Sequence, residues 1–269
     1  MAINTKFDGN VALVVGSATG MGHATTVKLV KEGAHVIGFD LRADKLDDLK
    51  EELKNEPGTF EPFVGDINDA EKRSGVVSFI KDKYGKLDTL AYIAGVMDSM
   101  TPVHDLDDEL WDYVMDVNVN SVFRMVREAL PLLKDHEGKA ANIVIVGSVG
   151  GVYHSTAGAA YITSKHAVLG LMKHLAWSYR ENNIRVNGVN PGAFATSIIE
   201  NAMIKWPKRE LFHPDGINMF NKKGANTVRS QELMGQPEYI ADAICFLISD
   251  EAKFICGAEI TVDGGWTSF

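Results

Sequence analysis

Val11-Ala-Leu-Val-Val-Gly16-Ser-Ala-Thr-Gly20-Met-Gly22 is the stretch on which the fold turns. Five apolar residues in an unbroken run suit a strand buried on both faces, as in a parallel sheet covered by helices. Glycines follow at once. Gly16 permits a tight turn, Gly20 lets a ligand approach the backbone, and Gly22 allows close helix packing. A helical pattern then runs from Gly20 to about Glu32, with Val27 and Val30 facing inward. The start of such a helix offers unpaired N–H groups and the positive end of its dipole, which together favour a phosphate. A G-x-x-x-G-x-G spacing is weak alone; its place directly after an apolar strand makes it a phosphate-site signal. Ser17, Thr19 and Met21 lie inside the turn and are read with it as ligand-contacting residues.

Outward from this turn the pattern alternates. His35 to Phe39 reads as a second strand, Phe60 to Val64 as a third and Leu87 to Ala94 as a fourth. Asn142 to Val146, Arg185 to Val189 and Glu259 to Val262 complete the set. Helical patterns separate them, such as Leu46, Leu49 and Leu53 set among acids and lysines. Such βα alternation predicts an α/β fold: one doubly wound, Rossmann-type domain over residues 1–269, with about seven parallel strands flanked by helices on both faces. The rhythm breaks from Ala193 to Gly235, where Met203, Trp206, Phe212, Met219 and Phe220 sit among lysines, prolines and asparagines. Loops of more than about 15 residues inside compact domains are usually functional lids or disordered. This one is too aromatic for simple disorder, and a substrate lid is expected at about 193–235.

Of the 269 residues, 45% are hydrophobic and 23% charged, which permits a sizeable core. A formal net charge of -9 disfavours nucleic acid and anionic membranes as partners. The longest stretch without formal charge, Ala140 to Ser164, is broken by glycines and serines and is not read as a membrane span. Met1 to Asn10 shows no basic region followed by an apolar run, so no secretory signal is expected. Cys245 and Cys256 fit small packed hydrophobes in a reducing, cytoplasmic setting. The histidines show no paired ligand spacing, and no metal is expected.

Asp40 ends the second strand, 24 residues after Gly16. A carboxylate there can accept both hydroxyls of an adenine ribose and repel a 2′-phosphate, which favours NAD(H) over NADP(H). Leu41 is grouped with it as a cofactor residue. Asp40 could instead be a solvated strand-end acid or a helix cap, and Arg42 could soften the discrimination. Tyr161 and Lys165, four residues apart on a helix, share one face. A free Tyr has a pKa of about 10, and lowering it by about three units requires roughly 4 kcal/mol. An ammonium about 4 Å away, at an effective dielectric near 20, supplies about that much, so Lys165 is expected to make Tyr161 a base. Ser148 ends the fifth strand, where open α/β sheets gather ligands; its hydroxyl would hold a substrate oxygen while Tyr161 moves the proton. A nucleophilic role is disfavoured because Ser148 lacks the G-x-S-x-G frame.

Taken in order, Gly16/Gly20/Gly22, Asp66, Ala94-Gly95, Asn118, Ser148 and Tyr161-Ile-Thr-Ser-Lys165 resemble the short-chain dehydrogenases/reductases. Asn187-Gly-Val-Asn-Pro191-Gly192 and Asp263-Gly-Gly265 extend the resemblance over essentially the full length. It implies a nicotinamide-dependent oxidoreductase with an Asn118, Ser148, Tyr161, Lys165 tetrad. In that family the Lys also holds the nicotinamide ribose, and the Asn positions a water in a proton relay to it. The resemblance further places Asp66, with Ile67 beside it, at the adenine. Ala94, Gly95, Asn190, Pro191 and Gly192 would line the cofactor, and Thr196 would reach its carboxamide or pyrophosphate. On the residues alone, Asn118 could equally bend a buried helix and Asp66 could be a helix N-cap. Val15 and Tyr92-Ile93 depart from the family's Thr and Asn-Asn, so the bracing of sheet and loops must differ here; Tyr92 could reach toward cofactor or core.

The substrate should meet Val96 to His104, Val149 to Ala160 and the lid. Met97, Val149, Tyr153, His154, Met203 and Trp206 are the candidate lining residues. Their apolar, aromatic character suggests a bulky secondary alcohol or ketone, such as a hydroxysteroid or cyclic terpene alcohol. Ser17-Ala-Thr-Gly20 with Gly38-Phe-Asp-Leu-Arg42 weakly resembles some hydroxysteroid dehydrogenases. A dehydrogenase of a sugar, polyol or hydroxy acid stays open, as do a nonredox epimerase or dehydratase and an NAD-sensing binding protein. The same apolar residues could also pack the lid or a subunit interface. The family resemblance implies a homo-oligomer, tetramer or dimer.

Overall fold

A computed structural model describes residues 5–134, 138–153, 157–194, 198, 210, 212–222 and 234–268. Seven strands are present: β1 (Val11–Val15), β2 (His35–Asp40), β3 (Thr59–Val64), β4 (Thr89–Tyr92), β5 (Ala141–Val146), β6 (Ile184–Pro191) and β7 (Glu259–Val262). They form one sheet in the order β3-β2-β1-β4-β5-β6-β7, and every neighbouring pair is parallel. The doubly wound arrangement expected from the alternation is therefore what forms. Strand growth reverses between β1 and β4, and a crevice opens there at the carboxyl ends of the strands.

The apolar run of β1 has two faces to satisfy. Val11, Leu13 and Val15 point into one core layer, and Ala12 and Val14 into the other. The first layer packs α3 (Ala70–Tyr84), α5 (Ser121–Lys134) and α6 (Ala159–Ser178) through Val76, Met125 and Met172, among others. The second packs α1 (Gly20–Lys31), α2 (Ala43–Leu53) and α8 (Pro237–Ile248) through Leu29, Leu46, Leu49 and Ile244. Each fully buried Val or Leu is worth roughly 1.5–3 kcal/mol relative to exposure, so a single charged residue in β1 would disrupt one layer.

Three features depart from the sequence reading. The expected strand from Leu87 to Ala94 pairs only over Thr89–Tyr92, because the chain turns away to border the crevice. Between α4 (Asp108–Met115) and α5, residues Asp116–Asn120 form a π-helical turn, a widening often found at functional sites. Cys245 is buried as expected, but Cys256 is exposed, its thiol 3.7 Å from the Ala176 carbonyl. Within the expected lid lies a helix, α7 (Pro214–Lys222), and an isolated parallel bridge joins Phe194 to Gly235. Thr196, Met203, Trp206 and His154 lie outside the described residues. Among the described residues, no helix is long and apolar enough to cross a membrane.

Candidate active site

The glycine turn is built by close approach. Gly16 has φ +85°, and a Cβ on it would fall 2.6 Å from the Ala94 nitrogen. A Cβ on Gly22 would fall 1.7 Å from the Gly16 carbonyl oxygen, so α1 starts hard against the turn. Thr19 is the N-cap of α1 but makes no side-chain cap bond, and the first turn holds no acid. Asp40 braces this end: Oδ2 accepts from the Ala18 N–H at 3.0 Å and Oδ1 from the Arg42 N–H at 3.1 Å. The Arg42 guanidinium bonds the Asp44 carboxylate through two contacts of 3.2 Å.

One expectation and one alternative at this end need correcting. Ser17 is fully buried, with its hydroxyl against Gly38; a Cβ there would come within 2.6 Å of it. Its side chain therefore stays out of the cleft. Asp66 is not the cap of α3: Asp69 is, accepting from the Glu71 N–H at 2.8 Å. Asp66 instead closes a short turn by accepting from the Asn68 N–H at 2.8 Å.

At the other end, Ser148 follows β5 and its Oγ accepts from the Gly150 N–H at 3.0 Å. The same hydroxyl stands toward the Tyr161 phenol and acts to lower its pKa. Lys165 is buried, and its Nζ donates to the Val146 carbonyl at 3.0 Å, 5.6 Å from the centroid of the Tyr161 ring. Burial pushes the Tyr161 phenol up to about 12, with the charge of Asp98 adding and the Ser148 bond opposing. Burial brings Lys165 down to about 8. The expected depression of Tyr161 by Lys165 is thus absent from the protein alone. The ammonium is directed at a backbone carbonyl and stands over the ring, and desolvation of the phenolate dominates.

Asn118 lies in the π-turn, and its amide clasps Val96. Oδ1 accepts from the Val96 N–H and Nδ2 donates to the Val96 carbonyl, both at 2.9 Å. Nδ2 also reaches the Ser164 hydroxyl at 3.0 Å, which donates to the Tyr161 carbonyl at 2.7 Å. A Cβ on Gly95 would fall 3.3 Å from Asn118 Oδ1 and 3.4 Å from Lys165 Nζ, so glycine keeps the two ends near each other. Asn120 points elsewhere, to Asp116 at 2.7 Å. Tyr92 reaches the core: its buried hydroxyl bonds Ser121 at 2.5 Å, and Ser121 donates to the Val117 carbonyl inside the π-turn. The Tyr that replaces the family's Asn therefore braces the turn that carries Asn118.

A cleft of about 1240 Å³ joins the two ends. Gly16, Thr19, Gly20, Met21, Gly22, Asp40, Leu41, Asp66 and Ile67 line one part of it; Ala94, Gly95, Ser148, Tyr161, Lys165, Pro191 and Gly192 line the rest. Met97 and Val149 are in the wall, whereas Tyr153 is exposed and outside it, because its loop turns to the surface. Asn118 sits behind the wall. Sequence reasoning missed Tyr113 and Asp112 on α4 and Trp266, whereas the apolar Met100, Ile217 and Met234 fall within the segments expected to border the substrate. One side of the acidic helix α4 faces the cleft. Elsewhere, His104, Asp105 and Asp215 bring ligand atoms within 4.8 Å of one another on the exposed surface, a grouping that sequence spacing conceals.

The sequence model of the short chain dehydrogenase family matches residues 10–205. The chain is a short-chain dehydrogenase. It is 31% identical to a 3beta-hydroxysteroid dehydrogenase of Eggerthella lenta, covering 99% of this chain and 98% of the relative. It is 34% identical to a 3-oxoacyl-[acyl-carrier-protein] reductase of Thermotoga maritima, over 97% and 98% of the two chains. The crystal structure of gox2181 superposes with a TM-score of 0.83 at 28% identity, covering 98% of each chain. As a family member the protein is an oxidoreductase that binds a nicotinamide cofactor. Its short-chain dehydrogenase turn fits one: Gly16 and Gly22 leave no room for a Cβ, and the α1 N-terminus carries neither a side-chain cap bond nor an acid to compete with a pyrophosphate.

Proposed function

We propose that the protein transfers hydride between NAD(H) and a bulky, mainly hydrophobic secondary alcohol or its ketone, of the hydroxysteroid or cyclic terpene alcohol class. The observation that carries this reading is the Ser148–Tyr161 hydroxyl pair beside Lys165, in a cleft whose described wall also holds Met97, Met100, Val149 and Ile217. Bound NAD would supply the hydride acceptor, NADH the donor. The glycine turn and Pro191-Gly192 would hold it, with Asp40 and Asp66 at the adenosine end.

Ser148 donates a hydrogen bond to the substrate oxygen and fixes it beside the phenol. Tyr161 gives that oxygen a proton in ketone reduction and takes one in alcohol oxidation. A phenol held up to about 12 stays protonated at neutral pH; to release that proton, or to serve as a base, it needs added positive charge, which Lys165, near 8 and mostly protonated at neutral pH, contributes in part. Asn118 fixes Val96 and, through Ser164, the backbone of Tyr161. Preference for NAD(H) is supported by Asp40, whose carboxylate stands at the end of β2, and by Arg42, whose guanidinium is engaged with Asp44. The names of the relatives span steroids and acyl chains, so the apolar wall carries the substrate class. We further place the enzyme in the cytoplasm as a homo-oligomer, in keeping with its family.

The test is a screen of NAD+ and NADP+ reduction across sterols, bile acids, terpene alcohols and sugars. Turnover of hydrophobic alcohols with NAD+ is expected. Activity confined to small polar polyols would sink the substrate class, and a preference for NADP+ would sink the role given to Asp40.

A further inference from the structure

The loop after β4 carries a carboxylate outside the recognised motifs. Asp98 is fully buried, and its Oδ2 accepts from the Tyr161 N–H at 2.9 Å. Tyr161 is the third residue of α6, and the N-cap of that helix is Gly158, which has no side chain to offer. A Cβ on Gly158 would fall 2.3 Å from Asp98 Oδ1, so the distant carboxylate stands where a capping side chain would reach. Thr101 completes the join, since its carbonyl accepts from the Ala159 N–H at 3.1 Å. Its own N–H and hydroxyl return to the Asp98 carbonyl. Between them Ser99 and Met100 have φ of 54° and 61°, a strained pair for residues that are not glycine.

A Ser or Asn at the N-cap would satisfy the helix end without burying a charge. Burial pushes the Asp98 carboxyl up, while the N–H groups of Tyr161, Asp98, Met100 and Ala160 pull it down. Burial wins, so ionising this carboxyl costs the fold more than it would cost in water. A charge kept at such a cost points to function more than to stability. The surrounding elements bring other titratable groups: Lys165 on α6, bonded to Val146; Tyr113 on α4; His104 and Asp105 in the turn before it; and His213 and Asp215 at the head of α7. The His213 N–H donates to the Ser99 carbonyl at 2.8 Å, so the same loop also holds the start of α7.

We propose that Asp98 is a positioning residue for Tyr161: its buried carboxylate, bonded to the Tyr161 N–H, sets where the phenol stands and the pH at which it releases its proton. The proposal rests on reading Tyr161 as the group that moves the substrate proton, but its test needs no substrate. Protein labelled with 13C at tyrosine Cζ is titrated by NMR with NAD+ present, the Tyr161 signal being assigned by its loss in Tyr161→Phe. Asp98→Asn keeps an acceptor oxygen and removes the charge. The Tyr161 midpoint should fall by about one pH unit, with the thermal midpoint unchanged or higher. The pH profile of alcohol oxidation should move the same way. A midpoint within about 0.2 units of the wild type overturns the proposal, as does lost stability with an unmoved titration. Asp98→Ser, a shorter neutral variant, gives the same readout if Asp98→Asn does not fold. Turnover that survives Tyr161→Phe would overturn the proposed function instead, and the titration reads that case separately.

Discussion

Removing Lys165 should separate the stability of this fold from its chemistry. Burial brings the ammonium from 10.5 to about 8. Below that pH the folded and unfolded chains both carry the proton, and the folded state bears the whole cost of the buried charge. A difference of about 2.5 in pKa, at about 1.36 kcal/mol for each unit, amounts to about 3.4 kcal/mol. From about pH 8 to 10.5 the folded chain is deprotonated while the unfolded chain still holds its proton, so stability from this group rises with pH; above 10.5 the cost is gone. Lys165→Met removes the charge and keeps the bulk, at the loss of the 3.0 Å bond to the Val146 carbonyl, worth about 1 kcal/mol. The variant should therefore be more stable than the wild type by about 2 kcal/mol near neutral pH, and slightly less stable above about pH 10.5. Urea unfolding without cofactor, at several pH values, measures this as a difference. Cys245, pushed up to about 12 by burial, lowers stability as pH rises past its ordinary range, and it does so in both proteins and cancels. A variant less stable at neutral pH, or a difference flat with pH, would refute the reasoning. Turnover should be lost in the same variant.

Two further outcomes concern the cofactor end. Gly22→Ala should weaken NADH binding at least about tenfold (about 1.4 kcal/mol), because its Cβ would meet the Gly16 carbonyl at 1.7 Å. Fluorescence titration checks it, and binding within a factor of about two would mean the turn is not the phosphate site. Asp40→Ala removes acceptors from the Ala18 and Arg42 N–H groups as well as the charge facing the ribose. NADH should bind about tenfold more weakly and NADPH more tightly, so an unchanged ratio of the two dissociation constants counts against the role of Asp40.

Local pattern made the sheet legible. The strand-length apolar runs and the glycines after β1 report burial and backbone freedom, properties that a short stretch carries within itself. Spacing likewise put Tyr161 and Lys165 on one helical face, and Ser148 at a strand end. What stayed hidden depends on partners far along the chain. Asp98 belongs to no motif in the sequence, and only the approach of Tyr161, 63 residues on, makes it a buried cap. Asp66 could have capped α3 on the sequence alone, but the cap falls to Asp69, because Asp66 closes a turn onto Asn68. The raised phenol of Tyr161 follows from desolvation, which no four-residue spacing expresses. Tyr92 was ambiguous for the same reason, until Ser121 supplied its partner. The acidic side of α4 faces the cleft, which local charge alone does not express.

The central claim, that Tyr161 moves the substrate proton beside a bound nicotinamide, is tested most directly by Tyr161→Phe. NADH affinity and turnover should be measured on the same preparation, with the best alcohol from the screen. The variant loses the hydroxyl that stands toward Ser148 and keeps the ring packed under Lys165. NADH binding should survive within about twofold while turnover falls by at least about a hundredfold. Turnover near the wild-type rate, with NADH still bound, would contradict the claim.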